Sequence, residues 1–284
     1  MTAIQDRRGD ASSAGTAAYL RDLGVPALPP RTSPFDPGYD LGTLQGHLEQ
    51  SAHLMAILKL SMACWMVASE AVSRAKLAAA RRRGVATVAG GGPFEVAVAQ
   101  DRLPAYLDLC AGMGFDRIEG GQGFTQVPLD PPAVVAMAHQ RGLEVQFELG
   151  SKHGGAFTGE AVAALVATGR RWLDAGAREL VIEARESARG VGLFDEGGRF
   201  DRRLADRLAD AFGLDLVAFE APTKPSQFAL LDHFGPAVRL CNVRLEELLR
   251  VEIYRRGLHS DAFGKASLRP APTAPALHAA VRGG

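Results

Sequence analysis

The amino-acid sequence predicts an α/β protein, a single-domain (β/α)8 TIM barrel. Three observations carry that expectation. Short apolar, β-branched runs alternate with longer helical patterns from about residue 33 to residue 260, the rhythm of a parallel sheet. Eight such units follow one another with no linker between them, which favours a closed barrel over an open sheet. No GxGxxG follows the first run, so the fingerprint of the open dinucleotide-binding sheet is absent from its usual place.

In chain order the strands are expected at Thr32–Phe35, Met55–Leu58, Ala86–Ala89, Arg117–Ile118, Glu144–Phe147, Glu179–Ile182, Leu216–Phe219 and Val238–Leu240. Between them lie helices. Over Pro104–Met113, Tyr106, Leu109, Cys110 and Met113 share one face. Over Gly159–Ala175, Val162, Leu165, Val166, Gly169 and Leu173 recur at spacings of three and four. Gly84, Gly114, Gly142 and Gly176 each follow a helical run and precede a strand, where glycine supplies the left-handed residue that ends a helix.

The composition excludes several classes of function. With 284 residues and 47% apolar content the chain can bury a large core, so wholesale disorder is excluded. Lys+Arg and Asp+Glu number 32 each, so no overall positive charge draws the protein to nucleic acid or to an anionic membrane. Cys64, Cys110 and Cys241 form no CxxC pair and read as reduced thiols. The first residues have no apolar signal core, and the most apolar window, Leu54 to Val67, carries Lys59 and is too short to span a bilayer. A cytoplasmic location is therefore expected. Residues 1–31 read as a flexible leader, 32–265 as the barrel, and 266–284, rich in Pro and Ala, as a flexible tail.

The candidate site is a ring of polar residues at the strand ends. These are Asp36, Lys59, Glu119, Glu148, Glu183, Glu220 and Asn242, with the third strand running into Gly90-Gly91-Gly92-Pro93-Phe94-Glu95. In a parallel barrel all these ends meet at one mouth. Clustered carboxylates repel and desolvate one another unless a cation or a basic partner is shared. Singly, each could instead cap a helix or brace the barrel. Lys59, in an apolar run, needs an acid or a bound anion if it ends a buried strand, or else snorkels to solvent from a helix. Lys152 follows Glu148 in a glycine-flanked loop that can bring it inward. Arg185, within Glu183-Ala184-Arg185-Glu186-Ser187, can grip a carboxylate or phosphate in a fork or bridge the neighbouring acids. His153 has no second histidine at metal-ligand spacing, Trp65 and Trp172 suit helix cores, and no P-loop, HExxH or GxSxG appears.

Taken together, these stretches resemble the phosphosulfolactate synthase family from about Asp36 to Lys265. The resemblance runs through Gly91–Glu95, Gly114–Glu119, Glu148–Lys152, Ile182–Ser187, Gly190–Asp195, Phe219–Pro222, Gly235-Pro236, Asn242, Arg255–Leu258 and Asp261–Lys265. It implies a (β/α)8 barrel and a Mg²⁺-dependent addition of sulfite to phosphoenolpyruvate, giving 2-phospho-3-sulfolactate on a route to coenzyme M. It further implies a small anionic substrate and a homo-oligomer, a trimer being the expected form. On the family's pattern Lys152 is the general acid, with Glu148 and Lys59 completing the catalytic group. Arg185, Lys224, Asn242 and Asp36 would bind substrate. Glu183, Glu220 and Glu119 would hold the metal.

The chain departs from that pattern at several points. Asp36-Pro37-Gly38 stands where the family has Asp-Lys-Gly, and Ser61-Met62-Ala63-Cys64 where it has Gly-Trp-Gly-Thr. Gly121-Gln122-Gly123 replaces Ser-Asp-Gly, and Ser226-Gln227 keeps half of a Gln-Gln pair. The part of the site on strands five to seven is intact, and the part on strands one, two and four is altered. The alternatives are a diverged barrel enzyme adding another nucleophile to an enol or 2-oxo acid, and a non-catalytic, stress-related binding protein.

Overall fold

The computed structural model describes residues 15–125 and 127–269. Eight parallel strands close in sequence order, β1 pairing with both β2 and β8. They are β1 Thr32–Asp36, β2 Leu58–Leu60, β3 Thr87–Ala89, β4 Arg117–Gly121, β5 Glu144–Leu149, β6 Glu179–Ile182, β7 Val217–Glu220 and β8 Arg239–Arg244. The helices are α1 Thr16–Asp22, α2 Leu41–Ser51, α3 Cys64–Val67, α4 Glu70–Arg82, α5 Gly92–Ala99, α6 Leu103–Met113, α7 Pro131–His139, α8 Gly159–Asp174, α9 Arg202–Phe212, α10 Lys224–Phe234 and α11 Leu248–Arg255.

Local chemistry places the joints. The four helix-ending glycines, Gly84, Gly114, Gly142 and Gly176, all take positive φ, between 70° and 103°. Asp40, Thr158 and Asp201 cap α2, α8 and α9, each side chain accepting from a backbone N–H of the first turn. Thr223 and Ser226 form a reciprocal capping box on α10. Period-two alternation then sorts the strand residues. Val145, Phe147 and Leu149 of β5 join the core between sheet and helices, where Phe147 stacks on Trp172 of α8 with ring centroids 3.9 Å apart. Burying a side chain of that size contributes about 1.5–3 kcal/mol.

Toward the barrel axis the residues are of another kind. A small apolar cluster of Val181, Ala218 and Cys241 lies there, separate from the main core. Around it lie Lys59, Arg117, Glu119, Gln146, Glu148, Glu179 and Glu220, all buried. They are linked in pairs. Arg117 bonds Gln146 and Glu144 and lies 3.6 Å from Glu179, which also meets Arg239. Where β1 meets β8, the buried Arg255 of α11 donates to Thr32, Glu252 and the carbonyls of Pro236 and Val238. Those bonds fasten the last helix to the first strand.

Several strand boundaries differ from expectation. The second strand lies at Leu58–Leu60, not Met55–Leu58, and Met55 makes only an isolated bridge to Thr32. Lys59 can sit in mid-strand because its ammonium has partners inside the barrel. For the same reason β4, β5 and β8 run beyond their expected ends and take in Glu119, Glu148 and Asn242. Of the expected leader and tail, residues 1–14 and 270–284 lie outside the described residues. Residues 15–31 include α1 and the buried Val25, and Arg31 bonds Asp215 at 2.5 Å. Leu268, within the expected tail, is buried.

Candidate active site

A cavity of about 770 Å³ opens at the C-terminal ends of the strands. Glu148 of β5, Lys152 and Arg185 of the following loops, Glu183 just past β6 and Glu220 at the end of β7 all line it. The cluster is held by direct contact. Lys152 Nζ donates to Glu148 Oε1 at 2.9 Å and to Glu183 Oε2 at 2.8 Å. Glu183 Oε1 accepts the Arg185 backbone N–H at 2.6 Å, and Glu220 Oε2 accepts that of Ala184 at 2.8 Å. Arg185 Nη1 donates to the Lys152 carbonyl at 3.1 Å, so the two loops lock together. Close approach constrains the backbone too: a Cβ on Gly150, which has φ +133°, would sit 2.7 Å from that of Glu183.

Three carboxyls beside two lysines cannot all ionise alike. Burial, then the charges of Glu183 and Glu119, pushes Glu148 up to about 8. Burial and the neighbouring Glu183 and Glu148 push Glu220 well above the usual carboxylate range. Burial presses Glu183 upward as well, but the Lys152 ammonium and the Glu148 and Glu220 carboxyls overcome it and hold Glu183 at about 2. Burial works against the charge on Lys152, yet Glu148 and Glu183 hold its pKa well above that of a free lysine. Near neutrality the cluster is therefore an ionised Glu183 and a charged Lys152 beside Glu148 and Glu220, two carboxyls whose surroundings favour the protonated form.

Lys59 stands on the other side of the mouth. Its ammonium lies 2.6 Å from Glu119 Oε1 and donates to Asn242 Oδ1 at 3.1 Å. Burial opposes that charge, but Glu119, Glu220 and Glu148 more than restore it. Asn242 also donates to Glu220 through Nδ2, so it joins Lys59 to the cluster. It reaches that place through a bulge: Ser33 and Pro34 pair with Cys241 and Val243, leaving Asn242 as the extra residue with φ +51°. Met62, Arg185 and Asn242 all line the cavity at positive φ, a conformation that non-glycine residues hold only when their surroundings fix it.

Not every residue expected in the site is in it. Asp36 is fully buried below the rim: Lys76 of α4 donates to its Oδ2, and the Gly38 and Tyr39 N–H groups to its Oδ1, each at 2.7 Å. It anchors a loop and, fully buried, does not line the cavity. Lys224 begins α10 outside the cavity, 3.7 Å from Asp261 and 5.1 Å above the Phe228 ring. Glu119 lines the cavity, and its oxygens take Lys59, the Gly91 N–H and Gln146 Nε2, which ties it to the Lys59 side of the mouth.

Two residues of the mouth carried no role in the sequence reading. The buried Glu95 accepts the N–H groups of Gly123, Phe124 and Thr125 at 2.9–3.0 Å and so fixes the β4 loop, whose Gly123 carbonyl receives the Lys152 N–H. An acid within an apolar helical turn was the available signal. Arg244, the last residue of β8, lines the cavity. No regularity of the sequence marks it.

The donor chemistry fits a magnesium ion only in part. Among the described residues, no three His, Cys, Asp or Glu side chains are arranged as a metal cage. Glu148, Glu183 and Glu220 are hard oxygen donors, crowded so that burial and mutual repulsion favour protons on Glu148 and Glu220. That suits an ion taking one or two carboxylates and completing its shell with water and substrate oxygens.

Comparison with known proteins agrees with this geometry. Residues 30–261 match the family described as (2R)-phospho-3-sulfolactate synthase (ComA). The phosphosulfolactate synthase of Methanocaldococcus jannaschii is 33% identical over 183 residues, 64% of this chain and 73% of that protein. That of Methanothermobacter thermautotrophicus is 32% identical over 180 residues, 63% and 70% of the two chains. The Bacillus subtilis enzyme is 26% identical over 196 residues, 66% and 75%. A 3-dehydroquinate dehydratase from Geobacillus kaustophilus superposes with a TM-score of 0.51 at 11% identity, covering 80% of this chain and 91% of its own, a likeness of fold alone. No helix among the described residues is long and apolar enough to cross a membrane. Because the family match spans every strand of the barrel and every charged group of its mouth, the chain belongs to the (2R)-phospho-3-sulfolactate synthase family.

Proposed function

We propose that this protein is a lyase that adds sulfite to phosphoenolpyruvate, forming 2-phospho-3-sulfolactate, with Mg²⁺ as its cofactor. The observation that carries this reading is Lys152, held charged between Glu148 and Glu183 beside Arg185 in the mouth cavity. Sulfite sulfur bonds to the terminal vinyl carbon, and the displaced π pair moves toward the substrate carboxylate as an enediolate. Arg185 and Lys59 hold the anionic groups of the substrate. Lys152 then gives a proton to the carbon bearing the phosphoryl ester. Glu148, protonated near neutrality, returns a proton to Lys152 across their 2.9 Å hydrogen bond. Glu183 and Glu220 would hold Mg²⁺, which would supply charge neutralisation for the substrate oxygens. The test is direct. Purified protein with Mg²⁺, phosphoenolpyruvate and sulfite should yield a sulfonated phospholactate by mass spectrometry. A folded enzyme giving no such product would remove this reaction.

A second reading has its own support. Pro37, Ser61 and Met62, where the chain departs from its family, all line the cavity. A changed wall with a kept acid cluster suits another nucleophile or acceptor of the same enol or 2-oxo acid class. Thermal-shift screening of such acids separates the two, since this reading requires a larger shift from some acid other than phosphoenolpyruvate.

A further inference from the structure

The altered half of the mouth contains an arginine whose surroundings are built to hold it. Arg244 closes β8 and pairs in register with Phe35 of β1, and its guanidinium lies 6.0 Å from the Phe35 ring centroid. Its Nε donates to Glu246 Oε1 at 2.8 Å, and Glu246 Oε2 accepts the Tyr39 hydroxyl. The Tyr39 N–H is itself bound by Asp36, whose other oxygen is paired with the buried Lys76. A strut of polar contacts thus runs from α4 to the cavity rim and ends on one nitrogen of Arg244. Of its five N–H groups, the Nε–H goes to Glu246 and the Tyr39 hydroxyl lies against another, which leaves N–H groups of Nη1 and Nη2 facing the cavity for an outside partner. A group that only donates and carries a fixed positive charge favours an oxyanion as that partner.

We propose that Arg244 is an anion-binding residue of this site, gripping one oxyanion of the substrate, carboxylate or phosphoryl, while Arg185 grips the other. The two arginines flank β7 and its Glu220, so a substrate held by both lies across the acid cluster. Arg244 also brings to the rim beside β1 a positive charge that Pro37 cannot carry.

This rests on the reading that the cavity takes a small enol acid, and the experiment separates the two. Isothermal titration compares wild type and Arg244→Ala with phosphoenolpyruvate and with inorganic phosphate. Loss of one charge-assisted fork should weaken phosphoenolpyruvate about 10- to 100-fold. Arg244→Lys should fall between, because an ammonium keeps the charge and loses the fork. The melting temperature should hardly move, since an exposed Arg–Glu pair contributes little to stability. A parallel loss for inorganic phosphate places the phosphoryl group on Arg244, and a loss confined to phosphoenolpyruvate places the carboxylate there. If Arg244→Ala fails to fold, Arg244→Gln replaces it with the same expectation. Wild-type affinity in the substituted protein overturns the proposal and leaves the proposed reaction standing. Failure of the wild type to bind either probe overturns both.

Discussion

The two sides of the mouth solve the problem of strand-end charge in opposite ways. On β5 to β7 the charged residues meet one another across the cavity, with Lys152 bridging Glu148 and Glu183 and with Glu220 alongside. On β1 the strand-end acid turns away. Asp36 spends both oxygens on Lys76 and two backbone amides, and the charge that reaches the cavity there comes from Arg244 of the neighbouring strand. A charge at a strand end is thus no guarantee of a site residue. Its partners decide: side chains of other strand ends make a reactive cluster, and local amides make a loop anchor.

That contrast can be broken most severely at Lys76. Lys76→Met takes from the fully buried Asp36 its paired cation and leaves it two amides, and removing one partner of a buried pair typically destabilises by about 3–5 kcal/mol. Urea denaturation should show this loss. A change below about 1 kcal/mol would mean that Asp36 is not the anchor described. Lys152→Ala probes the other side and should keep the fold while lowering kcat by about 10²–10³-fold, the usual effect of losing one preorganised charge. Near-normal turnover would move the chemistry elsewhere.

The acid cluster also leaves a signature in the pH dependence of stability. Glu148 has a folded pKa of about 8 against an ordinary 4.5, so the native state keeps a proton that the unfolded chain releases. Its contribution is complete below about 4.5 and is lost as pH rises toward about 8, and Glu220 acts in the same direction. Glu183, held at about 2, contributes above 4.5 and loses that contribution as pH falls toward 2. The melting temperature in metal-free buffer should therefore fall between about pH 5 and pH 8. Glu148→Gln, a permanent stand-in for the protonated acid, should flatten that slope by the Glu148 share. An unchanged slope would mean that Glu148 ionises like an exposed carboxyl.

The barrel could be read from the sequence because its signals are local. A glycine after an apolar helix fixes where the helix stops, and all four such glycines have the expected positive φ. Glu148, Lys152, Glu183 and Arg185 were legible for a similar reason: they lie within a residue or a short loop of strands whose parity is simple. Arg244 was not, because the bulge at Asn242 shifts the parity of β8 just before it. The true role of Asp36 was hidden as well, since its partner Lys76 is on a helix forty residues away. Glu119 was legible as a mouth residue but not as the partner of Lys59, which depends on Lys59, Gly91 and Gln146 arriving from three other strands or loops.

The smallest effect is expected at Lys224, and it marks the edge of the site. Lys224 stands four residues after Glu220, close enough in sequence to suggest a cavity residue. Thr223 caps the helix at that point, and the Lys224 ammonium settles near Asp261 and over Phe228, half exposed. Its ion pair is long and solvated, and a cation in the first turn of a helix opposes the dipole, so the two small terms nearly cancel. Lys224→Ala should change turnover and phosphoenolpyruvate affinity by less than about twofold and stability by less than about 0.5 kcal/mol. A tenfold loss of affinity would show that the α10 loop swings inward when substrate binds. The boundary between anchoring and reacting charges would then lie beyond β7, not at it.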